Sequence, residues 1–142
     1  MRLVLDTATM VAAIRSNAGA SSRLLMAGLE RRLTLLISTP LFIEYEAVMT
    51  RAEHLKASGL LAEDVEAILD AVAAASDPVR LAFLWRPAVR DPDDDMVLET
   101  AVNGQADAIV TYNRRDFVTV AERFGIEVWL PSEAIQKLEK EQ

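Results

Sequence analysis

Four carboxylates of this 142-residue chain fall where strands end or where a helix turns its face inward. Asp6 directly follows the apolar run Arg2-Leu3-Val4-Leu5. An acid there serves equally as the N-cap of a following helix or as a group at the carboxyl edge of a sheet. Thr7 and Thr9 are further cap candidates for that helix. Asp94 lies in the acidic run Asp91-Pro92-Asp93-Asp94-Asp95. Steps of four, seven and eleven from it give Leu98, Ala101 and Gln105, with Val97 and Val102 beside them. Asp94 therefore projects onto the apolar stripe of a helix, and Asp93 and Asp95 project off it. All three also suit the positive end of a helix dipole. Glu44 and Glu46 border the stripe Leu41, Tyr45, Val48, Met49 and Ala52 on opposite sides. Thr50 and Glu53 beside Glu46 mark it as the more solvated, which gives Glu44 a slight lead. Asn113 and Asp116 follow the apolar run Ala108-Ile109-Val110-Thr111. Either can cap the next helix or join a site.

Carboxylates gathered at one sheet edge repel one another. Two charges about 5 Å apart cost roughly 3 kcal/mol at an effective dielectric near 20. A hard divalent cation with oxygen ligands relieves that repulsion, and Mg²⁺ or Mn²⁺ suits a site without Cys or His donors. Such ions activate water and stabilise charge on phosphoryl oxygens, so the chemistry indicated is phosphodiester hydrolysis.

The elements that must position these acids alternate in type. Strands are predicted over 2–5, 33–38, weakly over 79–85, and over 108–111 and 126–129. Helices are predicted after Asp6, from Ser21 or Ser22, and from Pro40 to about Glu53 with Thr39 as N-cap. Further helices follow over 61–75, from the acidic run to Val102, over 116–124, and from Pro131. The strands are apolar without alternation, as in a sheet covered on both faces. The pattern indicates an α/β fold with a mainly parallel sheet in a single domain, 1–142.

Composition narrows the chemistry further. There are no cysteines, which excludes a disulfide framework or thiolate metal site and suits a reducing cytoplasm. One histidine, His54, rules out multi-histidine zinc sites. No apolar run reaches membrane-spanning length, and the N-terminus does not read as a signal peptide. The net charge is −7, an unpromising balance for phosphate contact, yet the cations are mostly arginine, which binds phosphate bidentately.

The ordered segments strand-Asp6-Thr7, Ser38-Thr39-Pro40-Leu41-Phe42-Ile43-Glu44-Tyr45 with Arg51, Asp91 to Ala101, and Ala106 to Phe117 resemble the PIN-domain family. The similarity is greatest to the VapC-like branch of bacterial toxins from toxin–antitoxin systems, and it covers nearly the whole chain. It implies a three-layer α/β/α sandwich with a central parallel sheet. It implies a Mg²⁺- or Mn²⁺-dependent ribonuclease, an RNA substrate, a cognate antitoxin and commonly a homodimer. Carried onto this chain, the acids would be Asp6, Glu44 and Asp94. The fourth acid position falls at Asn113, a departure from the family pattern, and Asp116 would supply that charge. Asp6, Asp94 and Asp116 would hold metal, and Thr7, Thr111 and Asn113 would support the acids. Arg114 and Arg115, with Arg15 or Arg51, would hold RNA phosphates. The alternative is a catalytically degenerate PIN domain that only binds RNA or protein, which the neutral Asn113 favours. For a dimer, the face Leu24-Leu25-Met26-Leu29 is the candidate, though a plain core face explains it as well.

Overall fold

The computed structural model describes residues 1–82 and 92–141. Five strands form one sheet: β1 (Arg2–Leu5), β2 (Thr34–Ile37), β3 (Asp77–Pro78), β4 (Ala108–Val110) and β5 (Glu127–Trp129). Their order is β3-β2-β1-β4-β5, and every pair is parallel. Among the described residues, eight helices complete the fold: α1 (Thr7–Arg15), α2 (Ala20–Leu29), α3 (Thr39–Met49), α4 (Ala52–Ser58), α5 (Ala62–Ala75), α6 (Pro92–Asn103), α7 (Val118–Glu122) and α8 (Pro131–Glu141). The steps β1-β2-β3 and β4-β5 run outward in opposite directions from the β1/β4 pair. Right-handed crossovers therefore place their helices on opposite faces. α5 packs on β2, and α6 packs on β1, β2 and β4. The result is the α/β/α sandwich with a parallel sheet.

The core follows from this layering. Leu3, Val4 and Leu5 of β1, Leu35 and Leu36 of β2, and Ala108, Ile109 and Val110 of β4 are almost wholly buried. Two covered faces explain why these strands carry no polar alternation. Gly28 of α2 lets that helix approach β2. A Cβ at this position would lie 2.4 Å from a Leu35 methyl. Leu24 and Leu25 are spent in the same core, and only Met26 of the α2 face considered for a dimer is well exposed. Among the described residues, no helix is long and apolar enough to cross a membrane.

Several element boundaries differ from the sequence reading. The N-cap of α3 is Ser38, not Thr39, because the helix begins one residue earlier and Ser38 Oγ accepts from the Leu41 amide. α2 is capped by Gly19, not by Ser21 or Ser22; Ser21 is buried instead. The strand foreseen over 79–85 is displaced to Asp77–Pro78, which pairs with Leu36–Ile37. Residues 79–82 lie outside any strand, and 83–85, including Trp85, lie outside the described residues. The helix foreseen over 116–124 is a short 3₁₀ turn, Arg114–Asp116, followed by α7.

The largest difference matters for function. The helix foreseen from Pro40 to Glu53 is two helices, α3 and α4. The Thr50 hydroxyl bonds back to the Glu46 carbonyl at 2.6 Å, and Arg51 turns extended (φ −61°, ψ 142°). A hydroxyl competing for helix carbonyls favours such a break. The corner redirects the chain and brings Arg51 and His54 back over the carboxyl edge of the sheet.

Candidate active site

A cavity of about 390 Å³ opens at the carboxyl ends of β1 and β4. Sheet order reverses between these two strands, and that is where open parallel sheets form ligand crevices. Asp6, Glu44, Asp94, Asn113 and Asp116 line the cavity, together with Thr7, Arg51 and His54.

Asp6 occupies the floor. Its amide continues the sheet by donating to the Val110 carbonyl at 3.0 Å. Because α1 begins at Thr7, Asp6 is the N-cap and neither threonine fills that role. One carboxylate oxygen, Oδ1, accepts from the Thr9 amide at 2.8 Å and the Thr9 hydroxyl at 2.6 Å. The other oxygen, Oδ2, accepts from the Thr111 hydroxyl at 2.5 Å. Asp6 thus caps α1 and also lines the cavity at the carboxyl edge of the sheet. Burial pushes the Asp6 carboxyl above its ordinary 3.8; the threonine hydrogen bonds oppose this rise, and the nearby Asp116 charge adds to it.

The remaining acids come from three separate segments. Glu44 projects from α3 and is half-buried at the cavity, while Glu46 is exposed. Asp94 stands in the first turn of α6, half-buried at the cavity wall. Asp116 closes the 3₁₀ turn, and the Asn113 side-chain amide donates to its carboxylate. The helices that bear Glu44 and Asp94 are joined by a buried side-chain link. The Ser38 and Thr100 hydroxyls are buried 2.7 Å apart, and Thr100 also donates to the Met96 carbonyl at 2.7 Å. That link fixes α3 against α6.

Some placements depart from the sequence expectations. Asp95 and Glu99 were read off the buried stripe or passed over, yet they are only 2% and 0% exposed. The cause is that α6 lies between β1, β2 and β4 on one side and α3 on another, so more than one stripe is covered. Thr7 lines the cavity, but Thr9 orients Asp6. The spacing Asp6 to Thr9, from N-cap to the third helical residue, is a signal that could have marked it. Arg114 pairs with Glu133 at 2.8 Å, and Arg115 and Arg15 are exposed outside the cavity lining; Arg51 is the arginine on the wall. His54, with no role assigned from sequence, also lines the wall.

A PIN-domain family model matches residues 2–115 of the chain. The chain belongs to the PIN-domain family. PIN domains are generally nucleases, and PIN-domain nucleases typically use divalent metal ions. Among solved structures, this PIN domain is similar to a chain of VapBC2 from Rickettsia felis, crystallised bound to a DNA fragment from their promoter. The two share 18% sequence identity at a TM-score of 0.62, over 91% of this chain and 99% of the other. At that identity the likeness is one of fold. No curated protein matches the chain in sequence.

The donor set can be tested against a metal. Its four acids offer oxygen donors and line one cavity, and the groups that hold the buried Asp6 are neutral. Both features fit a hard dication. Among the described residues, no group of three His, Cys, Asp or Glu side chains is gathered closely enough to hold an ion.

Proposed function

We propose that this PIN domain is a Mg²⁺- or Mn²⁺-dependent ribonuclease and the toxin of a toxin–antitoxin pair. One observation carries the reading: Asp6, Glu44, Asp94 and Asp116, from four distant segments, line one cavity at the β1/β4 crevice. Asp6 and Asp94 would hold the ion, with Asp116 beside them. When bound, the ion lowers the pKa of water and offsets charge on phosphoryl oxygens. Glu44 would orient the attacking water and take its proton. Asn113 would hold Asp116 in place. Arg51 would grip a substrate phosphate opposite the acids. In-line attack at phosphorus with loss of the 3′-oxygen leaves a 5′-phosphate and a 3′-hydroxyl.

The likeness to VapBC2 supports an antitoxin partner and a cytoplasmic setting. A second copy of the chain would have to dock elsewhere than Leu24 and Leu25, which are buried.

The test is cleavage of a single-stranded and a structured RNA with Mg²⁺ or Mn²⁺, repeated with EDTA and with Asp6→Asn. The reading expects cleavage that both treatments abolish. The second reading, a PIN domain that only binds, is favoured by Asn113 in the fourth acid position. It expects RNA retention without cleavage under every metal condition.

A further inference from the structure

Tyr112 stands between two residues that already serve the acids. Thr111 before it bonds Asp6, and Asn113 after it bonds Asp116. Thr111 points inward and is fully buried, whereas Tyr112 is 54% exposed at the carboxyl edge of β4. Its ring is nevertheless held. The Tyr112 hydroxyl lies 2.7 Å from the Ser21 Oγ of α2, and Ser21 is itself 1% exposed. An aromatic ring left half in water gives up hydrophobic burial, and one pinned at its far end has already lost its rotational freedom. Both costs favour a ligand that covers a flat, fixed face.

The electrostatics say what kind of ligand needs it. The chain carries a net charge of −7. Among the described residues, four acids and the guanidinium of Arg51 line the cavity. Phosphate contact, at Arg51 among others, works against that net charge and is weakened by it. Base stacking adds affinity of another kind, because every base presents a π-face and the contact does not depend on net charge.

We propose that Tyr112 is a stacking platform for one base of single-stranded RNA beside the scissile phosphate. The proposal deepens the ribonuclease reading and rests on it. The platform positions the strand rather than reacting with it. Because stacking is tolerant of base identity, it favours unpaired segments over any particular sequence.

The experiment is a fluorescence-anisotropy titration of a labelled single-stranded oligoribonucleotide onto Asp6→Asn protein, with Tyr112 intact or replaced. Tyr112→Ala is expected to weaken binding about tenfold or more. Tyr112→Trp is expected to keep or tighten it, and Tyr112→Leu to weaken it as Ala does. The weakening should be the same factor at low and high salt, whereas loss of a phosphate contact at Arg51→Ala should flatten the salt dependence. Melting curves exclude any variant that is not folded, and the Trp and Leu pair carries the comparison if Ala is lost. Binding unchanged in Tyr112→Ala, or retained in Tyr112→Leu, overturns the platform; the second result would make the patch an apolar docking surface. Cleavage by the wild-type chain is assayed in parallel. A protein that cleaves but ignores the ring loses the platform alone, and one that binds through the ring but never cleaves loses hydrolysis alone.

Discussion

The two ends of one sheet treat charge in opposite ways. At the amino end, Arg2 is satisfied on every side. Its guanidinium meets Asp77 at 2.9 Å and the Gly104 carbonyl at 2.9 Å, and its amide meets Asp107 at 2.7 Å. At the carboxyl end, Asp6, Glu44, Asp94 and Asp116 line a cavity together with Arg51. Asp6 there is buried and held by hydroxyls and an amide, none of them a cation. A neutral cage orients a carboxylate without neutralising it. The same fold thus pairs an arginine with acids where it needs stability and gathers acids around one cavity where chemistry is proposed, a familiar division between scaffold and site.

The comparison breaks most visibly at Asp6. Asp6→Asn is expected to reduce RNA cleavage at least about a hundredfold, read as initial rates with Mn²⁺. The same variant should melt no lower than wild type without metal, because the buried charge it removes is a liability. The sign is definite. The folded-state carboxyl sits above its ordinary 3.8, so the protonated form is the one that folding favours, and stability falls as pH rises through the folded-state value. Wild type should lose this contribution on going from acid to neutral pH, and Asp6→Asn should not. Saturating Mn²⁺ should reverse the loss. An ion at about 100 times its dissociation constant contributes about 2.7 kcal/mol, a rise of several degrees in the melting midpoint of a chain this size. Absence of any such rise, or a rise that persists in Asp6→Asn, would remove the metal from the carboxyl end.

A smaller effect belongs to Asn113. Its side-chain amide donates to Asp116. Asn113→Ala should lower kcat about tenfold with little change in RNA affinity, since it releases an acid rather than a phosphate contact. Asn113→Asp places a second charge beside Asp116 and should raise the metal concentration needed at low pH and lower it at high pH. Equal metal dependence at both pH values would show that the pair does not share the ion.

How much of this was legible in the sequence differs between local and distant constraints. Asp6 and the strands at 2–5, 108–111 and 126–129 follow from short apolar runs and Asp94 from a helical stripe, which are local properties. The near-tie between Glu44 and Glu46 was not resolved by periodicity, because both border the same stripe; the family resemblance chose Glu44. The break between α3 and α4 was hidden, since it depends on one hydroxyl at Thr50 and on where the next helix packs. Asp95 and Glu99 were missed for a similar reason. A single-stripe projection assumes one buried face, and α6 is covered from two sides. The Ser38–Thr100 link joins residues 62 apart in sequence, a contact that no local pattern encodes.

The least conspicuous test is at the opposite edge. Arg2→Ala removes the ion pair to Asp77 and the hydrogen bond to Gly104, but the Arg2 side chain is 39% exposed and that of Asp77 45%. Solvent screens an exposed pair heavily, so the ion pair contributes at most a few tenths of a kcal/mol, and the hydrogen bond brings the total to about 1 kcal/mol. Because Arg2 opens β1 and Asp6 follows its end, a loosened strand could in principle reach the site. Yet Leu3, Val4 and Leu5 between them are almost fully buried and paired on both sides by β2 and β4, which confines the disturbance to the edge. Arg2→Ala should therefore lower the melting midpoint by a few degrees, lessen its dependence on salt, and leave kcat and KM for RNA unchanged well below that midpoint. A loss of cleavage comparable with that of Asp6→Asn would mean that the two ends of the sheet are coupled, and that the acids at one end are held in place by the pairing at the other.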